Sequence, residues 1–142
     1  MWKYSNLLER IYKETGTYDP FEIASYFSFP IQYINMDSPL AKTIYLYDQP
    51  IILMSNKLKE DASKYYVCGH ELGHIFKHTG IACAYDDNSH FRSSMEREAN
   101  QFSFELCSAL FYEDNGYYPN EIRHLSYAYG VPKNFHLSDT LR

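Results

Sequence analysis

Three of the six histidines in this chain lie four residues apart in the stretch VCGHELGHIFKH. Within it, His70, Glu71 and His74 form an H-E-x-x-H pattern, on a segment whose pattern predicts a helix from about residue 59 to residue 78. Residues four apart on a helix share one face, about 6 Å apart along its axis, so both imidazoles can bind one zinc ion. Glu71 can reach the remaining coordination position, where it would deprotonate a water molecule.

A site of this kind needs a third protein ligand, and the stretch SMEREANQF supplies candidates on the next predicted helix. Glu96 and Asn100 are four apart, so a carboxylate ligand and an amide able to orient a metal-bound histidine would share one face. Glu98 is the alternative ligand, but no amide follows it one turn later, so Glu96 is favoured. Ala99 and Ser103 are small, which would let this helix approach the histidine helix closely.

The remaining histidines have weaker claims to a role. His78 would lie about 12 Å from His70 along a continuous helix, which is too far for one tetrahedral ion, so a capping or supporting role is expected. His90 and His124, in or near predicted loops, could each stabilise the oxyanion of a tetrahedral intermediate, or be exposed without a role. The fifteen tyrosines could do the same, but the sequence does not select one.

Two short helices are predicted ahead of the site. Residues 2–14 carry apolar side chains at helical spacing, and Gly16 follows as a stop. Asp19 is a predicted cap of the second helix, with Pro20 at its first position and Glu22 completing a capping box.

A β-rich part is predicted next, in three segments at 31–35, 43–48 and 51–55. A tight connection at 48–50 would join the last two. The three segments together indicate a small antiparallel meander. Segment 51–55 is the expected edge strand, which an extended peptide could join through backbone hydrogen bonds.

The second half of the chain is predicted to be helical. The histidine helix should end at residues 79–80, before the polar loop YDDNSH. Ser93 or Ser94 would cap the next helix, and a last helix is expected over 121–129. No repeat, low-complexity stretch or linker divides the chain, so residues 1–142 are expected to form a single α+β domain, with helices packed on a three-stranded antiparallel sheet.

H-E-L-G-H, followed about twenty residues later by E-x-E-A-N-x-F, resembles the ImmA/IrrE family of zinc metallopeptidases, a branch of the zincins. The stretches DPFEIA, IILMSN and LSYAYGVP also resemble this family, so the likeness covers nearly the whole chain. It implies a zincin-like domain in which His70, His74 and Glu96 bind one zinc ion and Glu71 is the general base of a zinc-dependent endopeptidase. After the second motif the chain departs from the family, reading FSFELCSALFYEDNG where many members have FAAELLMP, so the substrate groove is expected to differ.

Members of that family typically act on helix-turn-helix repressors or similar regulators of mobile elements and stress responses. The resemblance therefore implies a helix-turn-helix repressor as the protein substrate. Two alternatives remain: a module of the same fold that binds a regulator without cleaving it, and a toxin-like zinc hydrolase with another substrate.

Composition excludes other classes of function. The net charge is -5 and no window holds a basic run, which argues against direct nucleic-acid binding. No apolar run is long enough for a membrane span, and the N-terminal residues lack the apolar stretch of a signal peptide. Cys68, Cys83 and Cys107 are odd in number and lack paired spacing, so reduced thiols in a cytoplasmic protein are expected.

Overall fold

The computed structural model of the chain describes residues 2–78 and 89–135, and side chains are described for all of these except residues 89–91. The elements are, in chain order, α1 (Ser5–Thr15), α2 (Pro20–Tyr26), β1 (Ile31–Ile34), β2 (Ala41–Leu46), β3 (Gln49–Ser55), a 3-10 turn (Asn56–Leu58), α3 (Lys64–His78), α4 (Ser89–Asn115) and α5 (Ile122–Tyr129). Five helices and one three-stranded sheet confirm the α+β class predicted from the sequence.

The sheet is mixed, so the prediction of a fully antiparallel meander is wrong. Its strand order is β1-β3-β2, with β1 parallel and β2 antiparallel to β3. The predicted edge segment, 51–55, belongs to β3 and lies in the centre. Between β1 and β2 the chain crosses the end of β3 instead of turning back as a hairpin. Ser55 holds that crossing, because its Oγ donates to the Met36 carbonyl at 2.6 Å and its N–H to the Leu40 carbonyl at 2.8 Å.

The turn between β2 and β3 also differs from the prediction. It consists of Tyr47 and Asp48, both with positive φ (51° and 65°), instead of residues 48–50. Two-residue turns with positive φ match the right-handed twist of the strands that they join. At this end β2 therefore stops two residues earlier, and β3 starts two residues earlier, than the sequence indicates.

The N-terminal helices follow the sequence signals with one exception. Gly16 ends α1 with φ 76°, as expected of a glycine stop. The Asp19 side chain accepts from the Phe21 N–H at 2.8 Å and so caps α2. The other half of the predicted capping box is replaced, because the Asp19 N–H donates to Thr17 Oγ1 at 3.0 Å and not to Glu22.

Helix α4 runs through the middle of the fold and begins earlier than predicted. It starts at Ser89, so Ser93 and Ser94 lie inside it and the predicted serine caps are wrong. The helix continues over the polar stretch because no glycine or proline interrupts residues 89–115. Its apolar face is buried as expected, at Ala99, Phe102, Leu106 and Leu110. The predicted helix end at 79–80, and most of the loop after it, lie outside the described residues.

A buried carboxylate joins α4 to the start of α1. Glu105 is 0% exposed, and its oxygens accept from the N–H groups of Tyr4 at 2.8 Å and Lys3 at 3.1 Å and from Gln101 Nε2 at 2.6 Å. Burial raises the pKa of Glu105, while these donors oppose the rise. The N-terminal end of α1 is therefore fixed to the same helix that carries Glu96.

The described cysteines are free and buried. Cys68 and Cys107 form no disulfide, and burial raises the pKa of both thiols, that of Cys107 to about 12. Cys83 lies outside the described residues. Within the part of the chain that the structure describes, no helix is long and apolar enough to cross a membrane.

Candidate metal centre

Three side chains from α3 and α4 direct their donor atoms to one point. Glu96 reaches His70 Nε2 with Oε1 at 3.0 Å and His74 Nε2 with Oε2 at 2.8 Å. The two Nε2 atoms are 3.2 Å apart. The three potential ligand atoms all lie within 4.8 Å of one another, so one ion could contact all three.

Two glycines on α3 allow the two helices to approach closely enough for this convergence. A Cβ atom on Gly69 would lie 2.5 Å from Ser103 Oγ, and a Cβ on Gly73 would lie 3.1 Å from Ala99 Cα. The facing residues on α4 are the small Ala99 and Ser103, which confirms the close approach predicted from them. Ser103 Oγ also donates to the Tyr66 carbonyl at 2.6 Å, which ties α4 to α3.

The second nitrogen of each histidine has its own partner. His70 Nδ1 lies 2.7 Å from Asn100 Oδ1, so the ring donates its Nδ1–H to the amide oxygen and turns Nε2 towards Glu96. His74 Nδ1 lies 3.0 Å from His78 Nδ1. Both imidazoles are therefore oriented by a neighbour with Nε2 towards Glu96, the arrangement that metal-binding histidines need.

Glu98, the alternative ligand, lies outside this group of three. Its Oε1 is 2.7 Å from His78 Nε2. His78 is 5% exposed, and burial lowers its pKa despite the opposing hydrogen bond to Glu98. The structure thus places Glu96 beside the two H-E-x-x-H histidines and Glu98 beside the third histidine of the helix.

The charges in the group suit a divalent cation. Hydrogen bonds from His70 and His74 hold the pKa of Glu96 far below its usual range, so this carboxylate is ionised. Burial alone would lower the pKa of His70, but the hydrogen bond to Glu96 and the charges of Glu71 and Glu96 raise it. An anionic oxygen and two imidazole nitrogens make a donor set that a cation can occupy by displacing the hydrogens between them.

Glu71 lies beside the group but faces the sheet. It is 6% exposed, and its Oε1 accepts a 2.7 Å hydrogen bond from the hydroxyl of Thr43 on β2. Sequence reasoning missed Thr43, because its contact with Glu71 spans 28 residues and depends on which strand lies next to α3. The predicted general base is therefore held in place by the strand at the edge of the sheet.

A family model matches this chain over residues 24–135, a range that contains every residue of the site. That family is Peptidase_M78, described as the IrrE N-terminal-like domain. The chain belongs to this family.

One curated relative is named for a phage-like element. The "Phage-like element PBSX protein XkdA" of Bacillus subtilis (strain 168) is 30% identical over 93 residues, which are 66% of this chain and 44% of the relative. The chain thus spans less than half the length of that relative. No solved structure matches significantly.

Of the two histidines considered as oxyanion donors, the structure describes the side chain of His124 alone. His90 belongs to the first turn of α4, and its side chain lies outside the described part of the structure. The ring of His124 on α5 stacks on Phe111 at 6.3 Å. Phe111 follows Glu96 by fifteen residues on α4, or about 22 Å along the helix axis. At that distance His124 cannot contact a peptide bond at the site, so the oxyanion role is wrong for His124, and for His90 it stays a prediction.

Proposed function

We propose that the chain is a zinc-dependent endopeptidase in which His70, His74 and Glu96 hold the metal and Glu71 is the general base. The observation that carries the proposal is the convergence of two Nε2 atoms and one ionised carboxylate within 4.8 Å, directly beside a second, buried carboxylate. Two nitrogens and one oxygen form a donor set of catalytic zinc sites, which keep a further position open. Zinc bound there would act as a Lewis acid on the scissile carbonyl and would acidify water.

The proton path follows from the hydrogen bond on Glu71. Its Oε1 already accepts the Thr43 hydroxyl, so Oε2 is the oxygen available for proton transfer. Glu71 Oε2 takes a proton from the attacking water as the water oxygen bonds to the carbonyl carbon. It then gives that proton to the amide nitrogen as the C–N bond breaks, which leaves a carboxylate and an amine.

We further propose that the substrate lies along β2. Ser55 N–H donates to the Leu40 carbonyl, so, by the alternation of an antiparallel ladder, Ala41, Thr43 and Tyr45 direct their N–H and C=O groups away from β3. Within residues 2–78 and 89–135, no strand pairs with that edge. An extended peptide could pair there, and Thr43 would bring its scissile bond next to Glu71.

A regulator of a mobile element is the proposed substrate, most specifically a helix-turn-helix repressor. The similarity to a protein named for a phage-like element supports that setting. The net charge of -5 supports an effect on transcription through another protein, because DNA binding requires a concentrated positive surface.

The test is incubation of the zinc-loaded protein with purified helix-turn-helix regulators from mobile elements of the same genome, followed by mass spectrometry of each regulator. One new pair of fragments is expected, and it should be absent with Glu71→Gln, which keeps the size and the metal ligands. Glu60→Gln is a matched control, because it removes the same charge from an exposed position away from the site.

Other outcomes would favour the alternatives. An intact regulator in a stable complex with both the unmodified protein and Glu71→Gln would favour a binding module without cleavage. Cleavage of unfolded casein but not of the regulator would support the peptidase activity and reject the repressor as the substrate. Undiminished cleavage by Glu71→Gln would remove Glu71 as the general base.

A further inference from the structure

Three side chains form a continuous row that leads away from the proposed metal. His74 Nδ1 lies 3.0 Å from His78 Nδ1, and His78 Nε2 lies 2.7 Å from Glu98 Oε1. His78 is buried, and the side chain of Glu98 is 36% exposed at the outer end of the row. The row joins α3 to α4 independently of the contacts between Glu96 and the first two histidines.

The hydrogen positions in this row follow from the chemistry of its ends. A carboxylate oxygen only accepts, so the hydrogen between His78 and Glu98 belongs to His78 Nε2. A neutral His78 then has a lone pair on Nδ1, which accepts the Nδ1–H of His74. In the metal-bound protein, a neutral His74 with its hydrogen on Nδ1 would offer the lone pair of Nε2, the atom that faces Glu96 at 2.8 Å.

We propose that His78 and Glu98 are positioning residues that hold His74 in the tautomer and orientation required to bind the metal through Nε2. Asn100 plays the matching part for His70, at 2.7 Å from its Nδ1. The two sets of supporting contacts differ in one respect. The contacts of His74 lead through His78 to a carboxylate, whereas His70 contacts a neutral amide. The carboxylate polarises His78, which makes its Nδ1 a better acceptor for the hydrogen of His74.

The inference rests on the proposed function only in requiring a metal on His70, His74 and Glu96, and zinc affinity tests it without any substrate. His78→Leu removes the acceptor from His74, whereas His78→Asn retains one, because the asparagine Oδ1 occupies about the place of histidine Nδ1. The zinc dissociation constant, measured by competition with a chelator, should rise by about 10- to 100-fold for His78→Leu. His78→Asn keeps the acceptor for His74 but loses the contact with Glu98, so its zinc binding should weaken only by roughly three- to tenfold.

A second pair of variants tests the carboxylate. Glu98→Gln keeps the size and an acceptor oxygen but loses the charge, so we expect zinc binding to weaken by roughly three- to tenfold. Glu60→Gln, which removes the same charge from an exposed position, should bind zinc as the unmodified protein does. A role confined to packing would not produce this difference between two variants of unchanged side-chain size.

Imidazole NMR of the zinc-loaded protein gives a direct readout of the tautomer. The Nδ1 of His74 should carry a slowly exchanging hydrogen in the unmodified protein and in His78→Asn, and a rapidly exchanging one in His78→Leu.

If the unmodified protein binds no zinc, the proposed function fails and the positioning role fails with it. If zinc binds but folded His78→Leu has the unmodified affinity, only the positioning role is overturned. Should His78→Leu not fold, unmodified zinc affinity in Glu98→Gln overturns it instead.

Discussion

The hydroxyl of Thr43 donates a 2.7 Å hydrogen bond to Oε1 of Glu71, and this bond joins the free edge of the sheet to the helix that carries the histidines. The proposed substrate strand and the proposed general base are thus connected through one side chain. Thr43 is half-buried, and its backbone N–H and C=O remain available at the edge.

Replacing Thr43 tests the importance of that bond. Thr43→Val has nearly the same shape but no hydroxyl, so Glu71 loses the donor that fixes its orientation. A hydrogen bond to a charged group contributes about 1.5 to 3 kcal/mol, so kcat should fall by roughly 10- to 100-fold. Zinc content should not change, because Thr43 contacts no metal ligand in the group of three.

Thr43→Ser is the matched control for this measurement. It restores a hydroxyl at the same position and should recover most of the lost kcat. Equal kcat values for the valine and threonine proteins would show that the bond does not orient the base.

A proline at position 45 tests the proposed peptide-binding edge. Tyr45 directs its N–H away from β3 and lies opposite Pro50, so Tyr45→Pro removes an edge donor without breaking the ladder inside the sheet. We expect kcat/KM for a peptide substrate to fall by roughly 5- to 150-fold, because a lost backbone hydrogen bond with its unpaired partner costs about 1 to 3 kcal/mol. Tyr45→Ala removes only the side chain, so its kcat/KM should fall less. Equal losses in the two variants would place the substrate elsewhere.

Metal content separates the two glutamates of α4. Glu96→Ala removes one of the three converging donors, so the purified protein should lose most of its zinc, as should His70→Ala and His74→Ala. Glu98→Gln should still hold about one zinc per chain at saturating metal, because Glu98 contacts only His78 in the site. Atomic absorption measures both contents. Loss of zinc from Glu98→Gln with retention in Glu96→Ala would reverse the assignment.

Gly73→Ala tests the close approach of α3 and α4. The added Cβ would lie 3.1 Å from Ala99 Cα and 3.2 Å from the Phe102 ring, so the helices must separate by a few tenths of an ångström. Overpacking of this kind costs about 1 to 3 kcal/mol, partly offset by about 1 kcal/mol from replacing a helical glycine. Chemical denaturation should show a lower free energy of unfolding, and zinc should bind more weakly because Glu96 moves away from the histidines. Unchanged values of both would show that the helices adjust freely.

The spacing of residues along the sequence predicted the metal group. The contacts that the sequence did not predict depend on how the helices and strands pack. His70, His74 and Glu71 follow from positions on one helix turn, and the choice of Glu96 followed from the amide of Asn100 one turn later. The partner of His78 could not be derived, because it depends on how α4 is rotated against α3. The contact between Thr43 and Glu71 required the strand order.

The strand order itself could not be derived from alternating polarity. That pattern identifies strands but not their neighbours. In this fold the order depends on Ser55, whose two hydrogen bonds hold the chain as it passes the end of β3. A hairpin between β1 and β2 would have fitted the same sequence pattern.

The buried Glu105 has a consequence for the order of events in folding. Its hydrogen bonds to Lys3 and Tyr4 close loops of 102 and 101 residues, and closing such a loop costs entropy before any contact repays it. Until α1 docks, the carboxylate can remain in water, where its charge costs nothing. Docking of α1 therefore supplies two of the three donors that offset the burial of this carboxylate, and a partly folded chain that buried it sooner would lack them. During synthesis, α1 reaches its final place only after α4 has been made.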